Sequence, residues 1–132
     1  MIGAALFARL SADAAVAALV GTRIYPQEGP EDAPLPLISY FQVSSGDASS
    51  RGLSGAQKHF RTLQQIDIYA RTALEAQQIA SAVRASLDGQ VNQNWGGVTI
   101  PAALFDDQFD GNFEPDPNVH RIIQQYRIVV AE

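Results

Sequence analysis

The chain has 132 residues, 46% of them hydrophobic and 17% charged, a balance that predicts one globular domain over residues 1–132. It has no cysteine, which excludes a disulfide framework, a thiolate metal site and a cysteine nucleophile. Its net charge of -5 has the wrong sign for holding nucleic acid by phosphate neutralisation.

Residues 1–20 are mostly apolar, but no basic stretch precedes them and Arg9, Ser11 and Asp13 interrupt the run. A spanning helix needs about 20 apolar residues, so the segment reads as a soluble, unprocessed start. Residues 2–10 and 12–20 predict one kinked helix or two short ones, with Leu6, Leu10, Val16, Leu19 and Val20 inward and Gly21 as the stop. Residues 23–25 suit a short extended piece. Pro26, Pro30, Pro34 and Pro36 then impose a surface loop.

Residues 37–43 predict a strand, and the Ser- and Gly-rich residues 44–57 a long mobile hairpin loop. Residues 60–70 alternate, with Phe60, Thr62, Gln64, Ile66, Ile68 and Ala70 set toward a core. Thr72 and Glu75 form a capping-box pattern, the carboxylate reaching back to the Thr72 amide, and Ala76, Ile79, Ala80, Val83 and Leu87 make the buried face of the helix that follows. Asn92 and Asn94 read as a polar turn, residues 98–100 and 102–105 as short extended segments, and residues 106–117 as an acidic loop. Residues 119–130 predict a long closing strand paired with residues 60–70. The order is α+β: a mainly antiparallel sheet of about four strands, packed by two helical segments on one face.

No catalytic constellation emerges. The acidic loop imitates the start of a calcium loop, but Pro117 stands where the bidentate Glu belongs and Gln108 where an Asp or Asn belongs. His59 and His120 lack a nucleophile-elbow motif, and Lys58 ends a Gly-containing stretch without phosphate-loop spacing. No metal site, cofactor site or catalytic residue is expected. Trp95 fits either an interface anchor or a ring covering the sheet edge. Arg61, Asp67, Tyr69, Arg71, Arg121, Gln125 and Arg127 share the polar face of the two long strands, which suits either solvated surface or a subunit interface rich in Arg and Tyr.

The pieces "ALVGTRIYP", "APLPLISYFQV", "QQIDIYARTALEAQQIASAVRASLDG" and "HRIIQQYRIVV" occur in that order. Together they resemble the tail-completion, or tail-terminator, proteins of long-tailed phages with non-contractile tails. The likeness spans residues 6–130, with residues 44–57 and 90–117 undiagnostic. It implies a structural virion protein that forms a homo-hexameric ring on the head-proximal end of the tail tube. The ring would end tail polymerisation and join the tail to the head connector. Its implied partners are itself, the major tail protein and the head-tail connector or completion protein, with DNA passing through the lumen unbound and no membrane. Assembly would take place in the host cytoplasm.

A closed heterologous ring would also remove exposed sheet edges. Contact candidates are Ser45, Asp47, Arg51, Leu53 and Lys58 in the first loop, Arg61, Tyr69, Arg71 and Arg127 on the strands, Trp95, and Asp107 and Asp110 in the acidic loop. A single lysine against eight arginines suits a prophage or gene-transfer particle of a GC-rich bacterium as well as a phage. A head-completion or connector protein, or a small ligand-binding module, are the alternative readings.

Overall fold

The computed structural model describes residues 2–27, 34–47, 59–111, 114–115 and 118–131. In chain order the elements are α1 (Ile2–Ala12), α2 (Ala14–Val20), β1 (Ile24–Pro26), β2 (Leu37–Asp47), β3 (His59–Ala70), α3 (Ala73–Leu87), β4 (Gln90–Trp95), β5 (Val98–Asp110), β6 (Glu114–Pro115) and β7 (Asn118–Ala131). The sheet runs β1-β2-β3-β7-β5-β4, with β6 added to β7 off that path. β1 lies parallel to β2, and every other pairing is antiparallel.

This corrects the expected sheet of about four mainly antiparallel strands with two helical segments. The chain remains α+β, but a curled, mixed, six-strand sheet carries three helices. The strands missed are those at the edges. β4 is polar and largely exposed, so it lacks the alternation that marks a half-buried strand. The Asn92 and Asn94 segment is therefore strand, and the turn falls at Gly96 and Gly97, both at positive φ. That two-residue turn is what a tight hairpin needs, and Gly96 has a second reason to be glycine. A Cβ there would meet the Ala8 Cβ at 2.7 Å, so α1 rests directly on the turn.

The acidic residues 106–110 also proved to be strand. β5 runs through Pro101 to Asp110, pairing with β7 from Thr99 to Asp110 across two irregularities, at Thr99/Ala102 and Phe105/Asp107, and with β4 only over its first half. Pro101 sits at the irregularity between Thr99 and Ala102, where a proline is tolerated, and the aspartates lie beyond Ala103, where the outer side has no strand among the described residues. Likewise β2 continues past a bulge between Gln42 and Ser44 to Asp47, so the start of the expected 44–57 loop is strand. Its remainder, with Arg51 and Leu53, and Lys58 just after it lie outside the described residues.

Local signals explain the helices. The Asp13 carboxylate accepts the Ala15 and Val16 N–H groups at 2.9 and 3.1 Å, starting α2 afresh. α1 and α2 consequently meet at 87°, and among the described residues no single helix is long and apolar enough to cross a membrane. Thr72 caps α3 through the Glu75 N–H at 3.1 Å, and Glu75 reaches back to the Arg71 N–H at 3.2 Å, one residue short of the expected Thr72 amide.

α1 touches β1 and β2 at one edge and β4 at the other, so the sheet curls around it. Leu6, Leu10, Val16, Ile79, Val83 and Leu87 from the helices fill this concave side against Ile38, Ile66, Ile68, Ile100, Ile122 and Ile128. Burying each such side chain contributes roughly 1.5–3 kcal/mol. Arg9 reaches across to donate from Nε and Nη2 to the Ser86 carbonyl at 3.0 and 2.9 Å, placing a cation at the C-terminal end of α3.

Candidate functional site

With the helices occupying the concave side, the long strands present their other face outward. Its rows follow from register: Ser39, Asp67 and Ile123 lie side by side, Tyr69 beside Arg121, and Leu63 beside Arg127. The polar-face residues named from sequence are thus brought together as expected from the pairing of β3 with β7. At their centre Asp67 is only 3% exposed. Its Oδ2 accepts Arg121 Nη2 at 2.7 Å and its Oδ1 accepts Gln65 Nε2 at 2.9 Å.

The Arg121 guanidinium also lies over the Tyr69 ring, 5.5 Å from its centroid. Burial works against the Arg121 charge, but the hydrogen bond and the charge of Asp67, aided by Tyr69, outweigh it and hold the pKa above its ordinary value. The stem of Arg121 crosses Gly111, where a Cβ would come within 2.7 Å of the Arg121 Cδ.

Toward β4 the outer face becomes more exposed and more apolar. Leu104 and Val91 are 52% and 59% exposed, and Arg127, its side chain 74% exposed, pairs at 3.0 Å with Asp106, whose side chain is 27% exposed. An exposed pair of this kind contributes at most about 1 kcal/mol, so it orients side chains more than it stabilises. Arg61 and Arg71 are exposed, and Phe109 is 44% exposed beside Ile123. Of the remaining candidates, Ser45 is exposed on β2, the backbone of Asp47 ends that strand, and Asp107 and Asp110 are exposed on β5. Trp95 is 2% exposed and sits in the core cluster, 5.9 Å from the Arg9 guanidinium.

Sequence reasoning missed a second polar group, inside the concave side. Gln124, fully buried, donates from Nε2 to the Ala80 carbonyl at 3.0 Å and to Gln108 Oε1 at 2.8 Å, and accepts Tyr126 Oη at 2.9 Å. Burial raises the Tyr126 phenol pKa, with the Arg84 charge opposing and Asp88 adding to the shift. Phe105 packs edge-on against Tyr126, and Arg84 lies over the Phe105 ring at 3.9 Å. The one signal for this group was Gln124 set among Ile122, Tyr126, Ile128 and Val130 on the inward side of β7.

Among the described residues no three His, Asp or Glu side chains gather as a metal site. What the surface offers is polar anchors, apolar skirts and strand edges, the materials of a protein interface.

Residues 4–131 match the family model described as "Tail completion protein gp17". A chain of the "Virion of native gene transfer agent (GTA) particle" shares the fold, with TM-score 0.69 and 24% identity over 96% of this chain and 92% of its own. A second solved chain does so with TM-score 0.63 and 17% identity, over 99% and 93%. No curated protein matches.

Proposed function

The chain belongs to the tail completion protein gp17 family, and from that premise we propose that it closes the head-proximal end of a tail tube as a homo-hexameric ring. Membership makes it a structural component of a virion tail that assembles with other virion proteins. Beyond this, the ring stops addition of the major tail protein and offers its far side to the head-tail connector. The supporting observation is the extent of the family match: it runs from α1 to the end of β7 and so takes in every element of the sheet.

The surface suits the role. The outer face carries Arg61, Tyr69, Arg71 and Arg127 among apolar side chains, a composition suited to contacts between subunits. The net charge of -5 suits a lumen through which DNA passes unheld.

The test is light scattering of the purified protein, alone and with its major tail protein, together with electron microscopy of particles made without it. Sixfold rings on tubes of set length are expected, and tubes of unregulated length, unjoined to heads, in its absence. Normal tails joined to heads without the protein would overturn the reading.

A further inference from the structure

The sheet's two outermost long strands both outrun their edge neighbours. β1 covers β2 only at Ile38, Ser39 and Tyr40, and β4 covers β5 only as far as Ala103. Residues 41–47 and residues 104–110, stretches of equal length, therefore have no strand on their outer side among the described residues.

Ladder parity says which main-chain groups point out. The Tyr40 carbonyl accepts the Gln27 N–H on the outer side at 2.7 Å, and Tyr40 lies opposite Ile66 as Ser45 lies opposite Thr62, so Ser45 points out too. On β5 the Ala103 carbonyl accepts the Gly89 N–H on the outer side at 2.9 Å. Ala103 lies opposite Ile128 as Gln108 lies opposite Gln124, so Gln108 points out.

We propose that residues 106–110 of one copy pair antiparallel with residues 43–47 of the next copy, Gln108 opposite Ser45; the proposal rests on the ring reading above. Strand sense favours it. Three antiparallel steps separate β2 from β5, so the two strands run in opposite directions. Copies related by rotation about a ring axis, all in one orientation, thus present edges of opposite sense to each other.

Side chains agree in face. Asp107 comes opposite Gly46, both at positions of the outer face of the sheet, and Gly46 neighbours Arg61 on β3. Among the described residues nothing lies within 4 Å of where a Gly46 Cβ would be. The Asp107 carboxylate of one copy reaches across this gap to the Arg61 guanidinium of the next, while Phe109 comes to lie opposite Ser44.

The isolated subunit guards the same edge. Asp107 Oδ1 accepts the Gln108 N–H at 2.8 Å, and Asp88 Oδ1 accepts the Phe105 N–H at 2.8 Å. Carboxylates seated on outward donors blunt an edge against indiscriminate pairing. The Asp107 cap is local and reversible: turning toward Arg61 frees the Gln108 N–H for the Ser45 carbonyl. The Asp88 cap, anchored at the end of α3, marks where pairing stops.

Because the chain has no cysteine, Ser44→Cys with Phe109→Cys is a clean reporter. In this register the two form a non-hydrogen-bonded pair with Cα atoms about 4.5 Å apart, within disulfide range. Oxidised on tail tubes, the double variant should give a ladder beyond the dimer on a denaturing gel, and each single variant only monomer. Dimers from Ser44→Cys alone would mean β2 pairs with itself and would overturn the proposal. Sixfold rings by microscopy without cross-links would overturn it while leaving the ring standing, and a protein that stays single at every concentration and on tubes would overturn both.

As a second measurement, Asp107→Arg should raise the dissociation constant between subunits about tenfold. Arg61→Asp added to it should restore association. Failure of that rescue, with the circular dichroism of all variants unchanged, also counts against the pairing.

Discussion

The two faces of the sheet solve the same problem, a polar side chain shut away from water, by different chemistry. On the concave side Gln124 is neutral, and its amide is satisfied by a main-chain carbonyl, another amide and a phenol. On the outer face Asp67 is charged, and its partner Arg121 keeps its side chain about a third exposed, at 32%. A neutral network survives complete burial because each group finds a partner. A buried carboxylate needs a cation held against it, and that cation stays nearer the water where its own desolvation is cheaper. The outer face is thus the side on which removing one partner leaves a charge behind.

That difference sets the largest expected effect. Arg121→Met should cost about 3 kcal/mol in urea unfolding, because Asp67 would keep only the Gln65 amide. Asp67→Leu combined with Arg121→Met should recover most of the loss. A double variant as unstable as the single one would show that Arg121 acts through its packing on Gly111 and Tyr69 instead. On the concave side Gln124→Leu should cost less, about 2 kcal/mol, since the groups left unpaired are neutral. If the two losses ranked the other way, the contrast between the faces would fail.

Much of this architecture was legible in the residues. β3 and β7 declared themselves by strict alternation, Thr72 and Glu75 marked the start of α3, and the expected pairing of the two long strands put Tyr69 and Arg121 on one face without fixing their register. The family likeness came from these segments together with "ALVGTRIYP" and "APLPLISYFQV", and not from residues 44–57 or 90–117. What could not be read lay at the edges. Asn92 and Asn94 passed for a turn and Asp106, Asp107 and Asp110 for a loop, because an edge strand is free of the pressures that make a strand recognisable. The Gly96 and Gly97 pair was the missed clue, since a two-residue glycine turn between Trp95 and Val98 implies a strand on each side. The burial of Asp67 was beyond reach for another reason: alternation says which face a residue takes, but not what its neighbours on that face will cover.

A smaller effect separates the faces by pH. The Tyr126 phenol has a folded pKa raised above the 10.0 of an exposed tyrosine, chiefly by burial. Below that value both folded and unfolded chains keep the proton, and the stability is undiminished. Above it the unfolded chain loses its proton first, so stability falls as pH rises toward the folded pKa. Tyr126→Phe should cost about 1 kcal/mol at neutral pH through the lost bond to Gln124, yet flatten the decline above pH 10, as read by urea unfolding across an alkaline series. Some decline should persist, because burial raises Tyr40 in the same direction.

The smallest expected effect on folding is the most telling about use. Leu104 stands on the outer face next to Arg127, 52% exposed, with no helix over it among the described residues. Leu104→Ser should shift stability by no more than about 0.5 kcal/mol, as surface changes away from caps and buried pairs do. If the outer face is merely solvated, ring assembly and tail capping should be equally untouched. If it carries contacts in the assembled tail, the same substitution should weaken ring formation measured by light scattering while urea unfolding of the single subunit stays unchanged. An apolar side chain that does nothing for its own fold and something for its neighbours is what separates an interface from a surface.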